Sequence, residues 1–147
     1  MKKIVILLTL LSIWALAEVK VGDSINLELV DQFDKPHTLN SKAYKKIVVT
    51  FEKDISQKIN LYLQDQEKDL LKTKKIAYIS DIHKMPSFVT SMFALPKMKK
   101  YTFPILLIKE KNNIFPSKEN HITVVHLHRG KIKKIEFKEE KLIKIIF

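Results

Sequence analysis

Lys46-Ile-Val-Val-Thr-Phe-Glu-Lys-Asp-Ile-Ser-Gln-Lys-Ile-Asn60 is the stretch on which the reading of the fold turns. Ile47, Val48, Val49 and Phe51 make a short apolar, β-branched run, the composition of a buried strand. Asp54 follows as a candidate helix cap, because its carboxylate can accept orphan backbone N–H bonds. Gln57, three residues on, completes a capping-box-like spacing with Ser56 beside it. A buried strand turning directly into a capped helix is where many α/β proteins place their chemistry.

Toward the N-terminus, Ile25, Leu27 and Leu29 alternate with Asn26 and Glu28, the period of a half-buried strand. Asp31-Gln-Phe-Asp-Lys-Pro36 is a turn rich in Asp and Pro, and His37-Thr38-Leu39 restarts an extended segment. This predicts a β-hairpin leading into the strand at 47. Further back, Lys2 and Lys3 precede an apolar run from Ile4 to Leu11, and small residues stand at Ala15 and Ala17. That is the pattern of a secretory signal peptide over residues 1–17, cleaved before Glu18. The apolar run is shorter than the roughly 20 residues of a spanning helix. Residues 18–147 are then expected to form one domain, located in the periplasm.

Toward the C-terminus, Ile55, Ile59, Tyr62, Leu63, Leu70 and Leu71 recur at three- and four-residue spacing, predicting a helix from Asp54 to about Lys72. Lys75 to Ser80 reads as a second strand. Met85-Pro86-Ser87 opens a second helix, with Pro86 in its first turn and Pro96 expected to end or kink it. Ile105 to Ile108, after Thr102-Phe103-Pro104, is a continuously apolar run suited to a central strand. His121 to His128 and Lys131 to Phe137 flank Arg129-Gly130 as a hairpin with a two-residue loop. A short amphipathic end follows, with Leu142, Ile145 and Ile146 expected on its buried side.

Composition removes several chemistries. The chain has no cysteine, hence no disulfide, thiolate nucleophile or thiolate metal site. Two glycines, Gly22 and Gly130, cannot supply a phosphate loop or a dinucleotide fingerprint. The formal net charge is +11, and only Arg129 among the 27 basic residues is arginine. Lysine lacks the planar fork used to read bases and phosphates, so nucleic acid is not an expected partner. An acidic protein or peptide, or weak contact with an anionic membrane surface, is. Ser56 has no G-x-S-x-G around it and no adjacent base in sequence, so it reads as a first-turn helix residue rather than a nucleophile.

Val21-Gly22-Asp23, the Asp31 to Lys35 turn and the strand ending in Phe51 together resemble the thioredoxin-like superfamily, in its exported TlpA-type and peroxiredoxin-type branches. The resemblance spans roughly residues 19 to 140. It implies an α/β fold, a central mixed β-sheet flanked by helices, with an N-terminal β-hairpin extension. Relatives carry two cysteines in the turn after that Phe, at positions matching Ser56 and Ile59. They also carry a cis-proline before a central strand, facing that turn, and Pro104 after Phe103 matches it. The missing cysteines remove disulfide exchange, which needs an attacking thiolate. What the resemblance leaves is a redox-inactive, non-enzymatic module that binds a protein or peptide. Its groove is expected at Asp54, Ser56, Gln57, Phe103 and Pro104, and no cofactor is expected. The alternative is a copper- or zinc-binding protein using His121, His126 and His128, imidazoles expected to share one face of a hairpin. Met85, Met92 and Met98 read as core or rim filler.

Overall fold

The computed structural model describes residues 17–147. The expected signal peptide therefore lies, apart from Ala17, outside the described residues. Seven strands form one mixed sheet in the order β2-β1-β5-β4-β3-β6-β7. β1 (Asn26–Asp31) and β2 (Pro36–Asn40) are the N-terminal antiparallel hairpin. β3 (Lys46–Thr50), β4 (Ile76–Asp81) and β5 (Leu106–Ile108) run parallel. β6 (Ile122–His128) returns antiparallel to β3, and β7 (Lys131–Lys138) pairs with β6 across the Arg129-Gly130 turn.

Alternation along the central strands explains their apolar runs. Val48, Tyr78, Leu107 and Val124 point to one face, where they pack with helix residues Ile55, Ile59, Leu63, Leu71 and Ile143. Ile47, Val49, Ile79, Leu106, Ile108 and Val125 point to the other, where Ile114 and Phe115 of the 109–121 loop join them. Strands buried on both faces have no polar side to alternate with. Among the described residues, no helix contributes to the second cluster.

Four expectations are corrected. The helix after β3 is two pieces, α1 (Lys53–Gln64) and α2 (Leu70–Lys74). Asp65 and Gln66 donate back to the carbonyls of Tyr62 and Leu63, and this tightening closes α1. The cap position is Glu52, with no side-chain cap bond, while Asp54 is an exposed acid in the first turn. There its charge complements the helix dipole.

Pro96 does not end its helix. α3 (Ser87–Val89) passes through a π turn (Thr90–Ala94) into α4 (Leu95–Met98). Pro96 has no N–H for the carbonyl of Met92 and its ring crowds that turn. A wider turn just before it accommodates both. At the other end of the chain, Ile143, Ile146 and Phe147 are buried around α5 (Ile143–Ile146), and Ile145 is exposed.

The fourth correction concerns Pro104. All peptide bonds among the described residues are trans, including Phe103–Pro104. Pro104 leads into β5, two strands from β3, and lies three residues before Leu107, which is level with Ser80 and Thr50. At about 3.3 Å per residue it is roughly 10 Å short of the α1 end of the sheet. The strand beside β3 that enters from that end is β6, with Asn120 and His121 before it. The 101–108 run fits a central strand, and it is the neighbour of β4 and β1.

Candidate functional site

Thr50 and Ser80 are the last inward-facing positions of β3 and β4, opposite each other in register. Both are buried polar residues at the ends of otherwise apolar strands. Ser56 of α1 lies over them. Its hydroxyl is 2.6 Å from that of Thr50 and 3.3 Å from that of Ser80. One turn deeper, the Tyr78 hydroxyl donates to the Asn60 amide oxygen at 2.9 Å. Burial pushes the Tyr78 phenol far above its ordinary pKa, so it stays a neutral donor. Every buried side-chain polar atom among the described residues has a partner. The result is a fixed hydroxyl floor where β3 turns into α1.

Above this floor is a cavity of about 520 Å³ between α1 and the 87–98 segment. Phe51, Ile82, Met85, Val89, Phe93 and Tyr101 make its apolar wall, and Ser56, Gln57, Asn60 and Ser80 its polar one. Its charged residues are Glu52, Asp81, Lys53, Lys84 and Lys97. Both carboxylates are already engaged. Asp81 accepts from the His83 backbone N–H at 3.1 Å and meets the His83 ring at 2.5 Å. Glu52 accepts the Asn120 backbone N–H at 2.6 Å, joining the entry of β6 to the start of α1. Asn120 has φ 59°, a left-handed conformation that asparagine tolerates and that turns its N–H toward Glu52. The three lysines form no ion pair among the described residues. The lining therefore carries three lysines against two carboxylates, a net positive charge beside an apolar wall.

Of the residues expected in the groove, Ser56 and Gln57 line the cavity, and Asp54, Phe103 and Pro104 do not. Phe103 is buried in the core, stacked on Tyr101 at 5.3 Å between ring centroids. Its carbonyl accepts from Gln32 at 2.8 Å, and the same carboxamide accepts the Ile105 N–H at 2.8 Å. The Phe103 carbonyl and the Ile105 N–H, on either side of Pro104, are therefore already bonded to a side chain of this chain. Thr50, Asn60, Ser80, Lys84 and Lys97 were not singled out by the sequence reading. A polar residue closing each of two apolar strands was the available signal for Thr50 and Ser80.

The alternative metal site at His121, His126 and His128 does not form among the described residues. Among the described residues, no three His, Cys, Asp or Glu side chains are grouped so as to hold a metal ion. His121 meets the Glu119 carbonyl at 2.7 Å, His126 meets Glu136 at 2.8 Å, and His128 is exposed at the hairpin end. β6 is a central strand, so His126 is half-buried rather than solvent-facing, and a register shift between His126 and Leu127 separates it from His128.

No family model matches the sequence, and no curated protein does. Solved structures do. One is a protein named as a thiol:disulfide interchange protein DsbE from Chlorobium tepidum, 12% identical, with a TM-score of 0.56 over 87% of this chain and 93% of that one. A peroxidoxin, BcpB from Mycobacterium tuberculosis, is 14% identical with a TM-score of 0.51 over 87% and 93%. The thioredoxin domain of a thiol-disulfide oxidoreductase from Bacteroides vulgatus is 17% identical with a TM-score of 0.50 over 88% and 96%. The fold is thioredoxin-like. At these identities the likeness is one of fold. The chain has no cysteine, and at its strand-to-helix turn stands Ser56, bonded to two other hydroxyls. No histidine or carboxylate bonds the Ser56 hydroxyl, so nothing activates it as a nucleophile.

Proposed function

We propose that this chain is a redox-inactive, thioredoxin-fold binding protein of the periplasm that takes a peptide with acidic and apolar side chains into the cavity between α1 and the 87–98 segment. The observation that carries the reading is the pairing of Lys53, Lys84 and Lys97, free of acidic partners, with the wall made by Phe51, Ile82, Val89 and Phe93. Acidic side chains of a ligand would meet the lysines while its apolar ones displace water from the wall. Buried hydroxyls on the floor supply fixed donors and acceptors in the place of thiols. Similar folds carry names from thiol chemistry, and without a cysteine that chemistry has no attacking group here. The basic start, apolar run and Ala15-x-Ala17 pattern support export. Among the described residues no helix is long and apolar enough to cross a membrane.

Two experiments test this. N-terminal sequencing of the protein from its native envelope should read from Glu18, and a mature protein beginning at Met1 contradicts export. Fluorescence anisotropy should detect binding of a labelled peptide of interspersed acidic and aromatic residues. Lys84→Glu with Lys97→Glu should weaken it at least about tenfold, the loss of two favourable charge contacts. Equal binding of a peptide with lysine in place of each acidic residue would overturn the reading.

A further inference from the structure

Phe88, Met92 and Phe93 are 63%, 67% and 64% exposed on one short helical segment. Phe93 also borders the cavity. Phe88 and Met92 line none of the described cavities, so a cavity ligand does not account for them. Large apolar side chains clustered in solvent mark an interaction surface. Along the chain, the charge of this stretch is one-sided: from Ile82 through Lys109 there is no Asp or Glu, and Lys84, Lys97, Lys99, Lys100 and Lys109 are present. Asp81, the acid just before this stretch, is taken by His83.

We infer that this ridge seats the protein on an anionic lipid surface. Phe88 and Met92 would enter the boundary between headgroups and acyl chains, with Lys99 and Lys100 against lipid phosphates. A protein partner usually receives anchors from a groove or fills a pocket, whereas Phe88 and Met92 line no cavity, although Val89 and Phe93 beside them border the one over α1. A bilayer surface accepts such an exposed apolar edge. Twelve residues of helix at about 1.5 Å each cannot span a hydrocarbon core, so the contact is interfacial. Lysine suits it, since fluid headgroups require charge rather than the planar fork of arginine.

Vesicle co-sedimentation tests the inference with phosphatidylcholine alone and with phosphatidylcholine mixed with phosphatidylglycerol. The protein should pellet with the mixed vesicles and be released by salt, and neutral vesicles should bind it far less. Phe88→Ser with Met92→Ser, and separately Lys99→Glu with Lys100→Glu, should each weaken binding by about tenfold or more. These positions are exposed, so circular dichroism and melting temperature should match wild type and exclude misfolding. Any contribution of residues 1–17 is common to wild type and variants. Both variants should bind the acidic aromatic peptide as wild type does, which separates this surface from the cavity. Equal binding to neutral vesicles, no binding to either, or wild-type binding by the Phe88→Ser, Met92→Ser variant would overturn the inference. So would loss of peptide binding by that variant with vesicle binding unchanged, which would assign the ridge to the protein ligand.

Discussion

Gln32 straddles Pro104, its carboxamide donating to the Phe103 carbonyl and accepting the Ile105 N–H, both at 2.8 Å. The turn of the first hairpin thus completes, through a side chain, the pairing of β1 with β5 that proline cannot continue through its own nitrogen. Gln32 is 1% exposed, so both bonds are shielded from water. Gln32→Ala should cost about 2–4 kcal/mol, because two buried backbone groups lose their partners. Urea denaturation would measure it. A loss under about 0.5 kcal/mol would mean that water or a shift of the 101–108 segment replaces the carboxamide.

Ser56 bridges two hydroxyls that have few other choices. Ser56→Ala should destabilise by about 1–2 kcal/mol, since Thr50 and Ser80 are left short of partners in a buried setting. Thr50→Val combined with Ser56→Ala should cost less than the sum of the two single changes, because removing both ends of a hydrogen bond leaves fewer orphans. Thermal melts of the three variants decide this, and strict additivity would mean that the hydroxyls do not act together.

Glu136 should show its environment in acid. Hydrogen bonding from Lys134 at 2.6 Å, and then from His126 and Lys138, outweighs the opposing effect of burial and lowers its pKa from 4.5 to about 2. A carboxylate held low in the folded state stabilises fully above its unfolded pKa. That stability is lost as pH falls from about 4.5 to about 2. Lys134 reaches in from solvent, so screening limits the contribution to about 1–2 kcal/mol. Glu136→Gln should therefore be less stable than wild type at pH 6, and the gap should narrow steadily as pH falls from about 4.5 toward about 2. A gap that stays constant across that range would contradict the linkage.

Much of the fold was legible because period and punctuation agreed. The 25–40 hairpin, the strand at 47, the strand at 76 and the Arg129-Gly130 turn all formed where alternation and turn residues placed them. Arg129 and Gly130 both take positive φ, 50° and 77°, as a tight two-residue hairpin turn requires. The site was only half legible. Ser56 and Gln57, singled out from the local strand-to-helix pattern, do line the cavity. Pro104 was misplaced because strand order is non-local: two apolar strands follow β4 in the chain, and nothing in their composition says which one lies beside β3. The same non-locality hid Lys84, in the turn after β4, and Lys97, on the 87–98 segment that lies across the cavity from α1. The histidines do not share one face because a register shift falls between His126 and Leu127, and β3 and α5 cover the strand near His126.

The most direct test of a peptide site at the β3–α1 turn is residue-resolved NMR of the labelled protein titrated with the acidic aromatic peptide. The account predicts saturable shifts at Ser56, Gln57, Asn60, Lys84 and Lys97, absent in the Lys84→Glu, Lys97→Glu variant, and little change around Phe103 and Pro104. Shifts confined to β2, β7 or the 103–108 segment, with the cavity residues unmoved, would contradict it.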